Sequence, residues 1–336
     1  MKIACVRKRV VLLAVAAALI NCAASVASAA EWQRVSDELL AQEKPGYGGL
    51  TGIAVHPNSG DVYAFLSEKG LYRSSDLGAT WTRHGEEIKG RTEWPGAISL
   101  FPGEKADRFV IAMVYGGPIV RSEDGGKTFA TMDEASKHVD WCAVAPDDPK
   151  TRFVLTLKHE SGDVLIRSND GGRSFVEIGK DFGPACVFDE RTAVVQRGPL
   201  GKRKAVRTTD GGATFEPCAD WNTRAMPQWR DGVVYWLVDG AIVSTSDKGA
   251  TWKRLCDIKD GRFGPVFGKN ASHLLVLTTR GIVESRDGGA SWSEPTALPK
   301  GVQSNSPLTW IAYDAGRDVV YLAQMGAPMF RLKRGE

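Results

Sequence analysis

The nine residues RSEDGGKTF, Arg121 to Phe129, read as one tight turn between two strands, and the chain repeats them with small changes five more times. The copies are RSSDLGATW (73–81), RSNDGGRSF (167–175), RTTDGGATF (207–215), STSDKGATW (244–252) and ESRDGGASW (284–292). Recurrence on this scale marks an array of supersecondary units. The aspartates Asp76, Asp124, Asp170, Asp210, Asp247 and Asp287 stand 48, 46, 40, 37 and 40 residues apart, room for four short strands and their turns in each unit.

Each copy runs Ser or Thr, any residue, Asp, any residue, Gly, any residue, Ser or Thr, aromatic, with Glu123 and Arg286 at free positions. A short carboxylate folds back onto the N–H groups of its own turn, and the hydroxyls add a bond on either side. The residue after Asp varies, whereas the next is glycine in all six copies: Gly78, Gly126, Gly172, Gly212, Gly249 and Gly289. This pattern predicts a positive φ at the second turn position, which glycine adopts without strain. The closing aromatics Trp81, Phe129, Phe175, Phe215, Trp252 and Trp292 then start the next strand and are expected to wedge between sheets. On this reading the aspartates are structural.

The six copies resemble the Asp-box, or BNR, repeat of sialidases, tandem-propeller xyloglucanases, sortilin-type ectodomains and the photosystem II assembly propeller. The resemblance covers residues 73–292 and implies a β-propeller; these families share the box and little of their function. Strand patterns agree. In the first unit Leu50 to Val55, Asp61 to Leu66, Leu71 to Ser74 and Thr80 to Arg83 are short runs separated by turn residues. No stretch after the first thirty residues carries a helical period.

After the sixth box, residues 306–332 supply three strands of a further unit, and Glu31-Trp32-Gln33-Arg34-Val35 reads like the strand that follows a box. The expected fold is therefore all-β: one seven-bladed propeller over 31–336, of four-stranded antiparallel blades, closed by the N-terminal strand pairing in the last blade.

Residues 1–29 look like a cleavable signal peptide: Lys2, Arg7, Lys8 and Arg9, an apolar run from Val10 to Ile20, then small residues to Ala29. Cys22 follows an apolar run as a lipoprotein cysteine would, but Asn21 fits that cleavage poorly, so the expected location is secreted or periplasmic without an anchor. Without the leader, 39 basic residues face 40 acidic ones. That balance gives no reason to expect a nucleic-acid partner, and no membrane span is expected after cleavage. A monomer is expected. Cys142, Cys186, Cys218 and Cys256 remain, matching no metal motif and allowing three pairings; buried free thiols are the plainer expectation.

Function must then live in loops. By the fold analogy, boxes occupy one face, while crossovers between blades and the middle hairpins build the other. Those loops hold flat aromatics, Trp94, Trp141, Trp221 and Trp229, beside His138, His159, Arg224 and Arg262, a set suited to holding a glycan. The plainer reading of the tryptophans is that they fill gaps between blades. Arg197, Lys202, Arg203 and Lys204 in the fourth hairpin lean towards an anionic partner.

Sialidase chemistry is disfavoured, because the Arg-Ile-Pro signature is absent and no arginine lies between Arg34 and Arg73. Residues 46–73 are similar to the opening blade of the xyloglucanases, which would put Glu68 near a catalytic carboxylate. A glycosidase needs a second one, for which Glu93, Asp140 and Glu160 are the candidates; Glu68 as a solvated turn residue is the plainer reading. His138 or His159 with Tyr115 could serve a lyase. No histidine spacing marks a metal site, and neither a nucleophile elbow nor a phosphate loop points to a cofactor. The expectation is an exported propeller binding a glycan polymer, hydrolase-like if catalytic at all; the alternative, placed second, is a non-catalytic scaffold gripping a peptide or protein.

Overall fold

The computed structural model describes residues 31–334, so the expected signal peptide and Cys22 lie outside the described residues. The described residues form one compact unit. Seven antiparallel sheets follow one another along the chain, and their contacts run from each sheet to the next. Blade 1 comprises Leu50–Val55, Val62–Leu66, Gly70–Ser74 and Thr82–Arg83. Inner strands of the later blades are Ile98–Phe101, Val139–Val144, Phe182–Val187, Gln228–Arg230, Gly261–Phe267 and Thr309–Asp314. Blade 6 has three regular strands, and an isolated bridge between Ile282 and Thr296 stands where its fourth would run.

In the last blade, Gln33–Arg34 pairs antiparallel with Phe330–Lys333, with Gln33 opposite Arg331 and Arg34 opposite Phe330. Val35 N–H donates to the Met329 carbonyl at 3.0 Å, and the Met329 N–H donates to the Ser36 hydroxyl at 2.8 Å. A short helix, Asp37–Glu43, follows at once. It corrects the expectation of no helix after the leader. Two turns are too few to show a period, and the helix is held by burying Leu39 in the cluster between blades 7 and 1.

The core is a set of hydrophobic clusters lying between neighbouring blades, and each box aromatic packs half-buried against one of them. The six turns are built alike. A preceding Ser or Thr hydroxyl donates to the Asp at 2.7–2.8 Å, and the following hydroxyl at 2.5–2.7 Å. The glycine N–H in turn donates to the first hydroxyl at 2.7–3.0 Å.

Positive φ is not what singles out the second glycine. The residue before it is left-handed too, as Leu77 (φ 65) and Lys248 (φ 56) show. At five of the six boxes what singles out the second glycine is space: a Cβ on Gly249 would overlap Val194, and one on Gly289 would overlap Cys256, both from the preceding blade, whereas one on Gly212 would come no nearer than 3.2 Å to Arg167. Around Gly125 and Gly288, one position earlier, a Cβ would meet nothing within 4 Å.

The turn also presents its first left-handed carbonyl to the preceding blade. Arg331 donates to Leu77 O at 2.7 Å, His84 Nε2 to Gly125 O at 2.7 Å, Arg121 to Gly171 O at 3.3 Å and Arg207 to Lys248 O at 2.9 Å. Arg167 reaches Gly211 O in the same way. Five boxes are thus latched to the blade before them. At the sixth, the equivalent strand position in blade 5 holds Ser244, and no such bond forms among the described residues. Arg207→Ala should lower the unfolding free energy by about 1–2 kcal/mol, the net worth of a charge-assisted bond, as read by chemical denaturation.

Hydroxyl donation holds the box carboxyls low: those of Asp76, Asp170, Asp247 and Asp287 lie at about 2, and Asp124 and Asp210 also lie below the ordinary range. A carboxylate depressed in the folded state stabilises fully above its unfolded pKa, about 3.9, and loses that contribution as pH falls through its folded pKa. Unfolding should therefore take up several protons near pH 3. The melting temperature should fall between about pH 4 and pH 2 while these groups leave it flat from pH 5 to 7; calorimetry across that range is the check.

Free in the structure, the four cysteines have thiols raised by burial: Cys142 to about 12, Cys218 and Cys256 to about 11, and Cys186 also upward.

Candidate functional site

Inner strands begin at one end of the ring, and the segments entering them surround a cavity of about 740 Å³. Its wall draws on blades 2 to 7: Trp94 from the first crossover, Asp140 and Trp141 where blade 3 begins, Arg224 from the fourth crossover and Arg262 where blade 6 begins. With Arg203, which also lines it, the ring therefore brings together six of the residues singled out in the sequence. Arg224 and Arg262 are exposed, and neither has an ion-pair partner among the described residues. One further charge was not legible as a site residue: Asp163 forms an ion pair on the wall with Arg203, 40 positions further on, which the sequence offers to an anionic partner. Only the packing of hairpin 3 against hairpin 4 joins them.

The tryptophans mostly go elsewhere, which corrects the expectation of a stacking platform. Trp141 is 3% exposed and packs in the cluster between blades 3 and 4 with Leu157 and Phe182. Trp221 sits edge-on to Trp236 and Trp252, with ring centres 5.2 and 5.1 Å away, and Trp229 packs on Phe188 at 5.6 Å. Of the four, Trp94 remains a half-buried part of the mouth, and its indole N–H has no acceptor.

A second constellation lies beside the mouth over blades 1 to 3. His159 Nδ1 meets Asp140 Oδ1 at 2.5 Å. The Tyr115 ring stands edge-on to His138 and His159, with centres 5.3 and 5.6 Å apart. Arg91 lies 4.7 Å from both the Tyr47 and the Tyr115 ring centres and pairs with Glu93 at 2.9 Å. Burial raises the Asp140 carboxyl, against the pull of His159. His138 Nδ1 bonds the Val114 carbonyl at 2.9 Å.

This arrangement sets the candidate carboxylates apart by role. Glu93 neutralises Arg91, Asp140 holds His159, and Glu160 is exposed beside His159 Nε2 at 3.6 Å. Glu68 is an exposed turn residue with φ 64, lying against Gly46 and away from the mouth wall. No two of the four form a pair open to the mouth. Among the described residues no group of three His, Cys, Asp or Glu could hold a metal ion, and no helix is long and apolar enough to cross a membrane.

The fold and its mouth define a seven-bladed β-propeller with a ligand-sized axial pocket. No protein-family model matches the sequence, and no curated protein does. Among solved structures, the chain is similar to the GH74 enzyme of Niastella koreensis, with a TM-score of 0.53 and 13% identity over 85% of this chain and 43% of that one. It is also similar to YCF48 from Cyanidioschyzon merolae, at TM-score 0.51 and 13% identity over 91% of this chain and 99% of that one. The Pan2 WD40 domain of Neurospora crassa gives TM-score 0.53 and 9% identity, over 91% and 96% of the two chains. At such identities the likeness is one of fold alone. The chain spans less than half the length of the GH74 enzyme.

Proposed function

We propose that this chain is an exported Asp-box propeller that binds a segment of another protein in its axial mouth and acts as a scaffold. The observation that carries the reading is the mouth itself. Two exposed, unpaired arginines, Arg224 and Arg262, converge there, while three of the four tryptophans suited to a sugar are spent on packing between blades. Export rests on the leader pattern, and box membership on six turns of one design. Hydrolase chemistry is not part of the proposal, because Glu93 and Asp140 are committed to Arg91 and His159.

Glycan binding is the second reading, supported by Trp94, which still offers the mouth part of a flat ring. Peptide and glycan arrays probed with the purified protein separate the two. Arg224→Glu with Arg262→Glu should weaken peptide hits more than tenfold with no change in melting temperature, since both side chains are exposed. Hits confined to neutral glycans, unaffected by the double variant, would reverse the order.

A further inference from the structure

Beyond the mouth, a second cavity of about 650 Å³ runs between blades 4 and 5. The two share Arg203, Asn222, Val238 and Asp239, so the axial pocket continues outward as a groove. Four cations, Lys202, Arg203, Lys204 and Arg254, line this groove with two carboxylates, Asp220 and Asp239, and two of the cations are paired outside it, Arg203 with Asp163 and Arg254 with Asp257 at 2.7 Å. Both carboxylates are already engaged: Asp220 by Lys204 at 3.0 Å, and Asp239 by the Asn222 side-chain amide at 3.0 Å. Lys202 is exposed with no ion-pair partner among the described residues. Along the path, then, Arg224 and Arg262 in the mouth and Lys202 in the groove are exposed cations without ion-pair partners among the described residues, and they match a ligand that carries several carboxylates.

The groove wall also says what backbone that ligand has. Cys218 and Ala219 line it, and they belong to Glu216–Ala219, the outermost strand of blade 4. That strand pairs on one side with Lys204–Thr208 and leaves its other edge unpaired among the described residues. A free strand edge can take another strand through its main chain, and here the short edge offers the N–H and C=O groups of Cys218 and Ala219, since Pro217 has no N–H.

Resting on the mouth reading above, we infer that the partner segment is an extended acidic peptide. Its carboxylates meet Arg224 and Arg262 in the mouth, and it leaves along blade 4 past Lys202 and Lys204.

The test is fluorescence anisotropy with fluorescein-labelled decaglutamate and tetraglutamate, and decaglutamine as the uncharged control. Lys202→Gln with Lys204→Gln should weaken decaglutamate about fivefold, the worth of two exposed charge contacts, while tetraglutamate, seated in the mouth, is unchanged. Decaglutamine should bind at least tenfold more weakly than decaglutamate. If the mouth double variant abolishes decaglutamate binding but the groove variant does nothing, the groove path is wrong and the mouth reading stands. Insensitivity to both variants, or no binding of decaglutamate, overturns both. Tighter binding of polygalacturonate than of decaglutamate, sensitive to the same variants, would assign the path to an acidic glycan and overturn the peptide.

Discussion

Gly289→Ala is expected to lower the unfolding free energy by about 2–5 kcal/mol, and Gly288→Ala, the next residue in the same turn, by only about 1–2 kcal/mol. Both backbones are left-handed, φ 92 and 75, so a Cβ strains each of them. Only at Gly289 does the new methyl also run into Cys256 of the preceding blade. The pair separates two explanations of the repeated glycine that look the same in the sequence. Equal effects in urea unfolding would mean that conformation alone selects it. A larger effect at Gly289 means that the box is a blade-to-blade contact, which fits the carbonyl latch that the other five boxes make to the blade before them.

Trp141→Ala is expected to cost about 3–5 kcal/mol, the range for emptying a buried aromatic site. At 3% exposure its ring fills space between blades 3 and 4, and the Thr156 hydroxyl donates to its carbonyl. Trp94→Ala should leave stability much closer to wild type, because that ring is half-buried at the mouth. Its effect should fall on ligand binding. Denaturation and binding measured on both variants decide which tryptophan serves the fold and which the site: a stable Trp141→Ala protein with lost binding would restore the stacking platform.

Much of the fold was legible because a box is a local object. Eight consecutive residues carry the aspartate, its two hydroxyls and the wedge aromatic, and their spacing counts the blades. The helix Asp37–Glu43 escaped because its signal is little more than one buried leucine followed by Leu40. Site residues were legible as loop residues, but their exposure was not. Trp221 is taken out of the mouth by Trp236 and Trp252, 15 and 31 positions further on, and nothing near Trp221 announces them.

By itself, the sequence determined the repeat, the turn chemistry and the all-β propeller, since each depends on residues within a few positions of one another. Tertiary structure alone decided which charges and rings share the mouth, that it continues between blades 4 and 5, and why the second glycine of five boxes admits no side chain. Those properties depend on atoms of neighbouring blades some 40 residues away, whose meeting is set by how the ring packs.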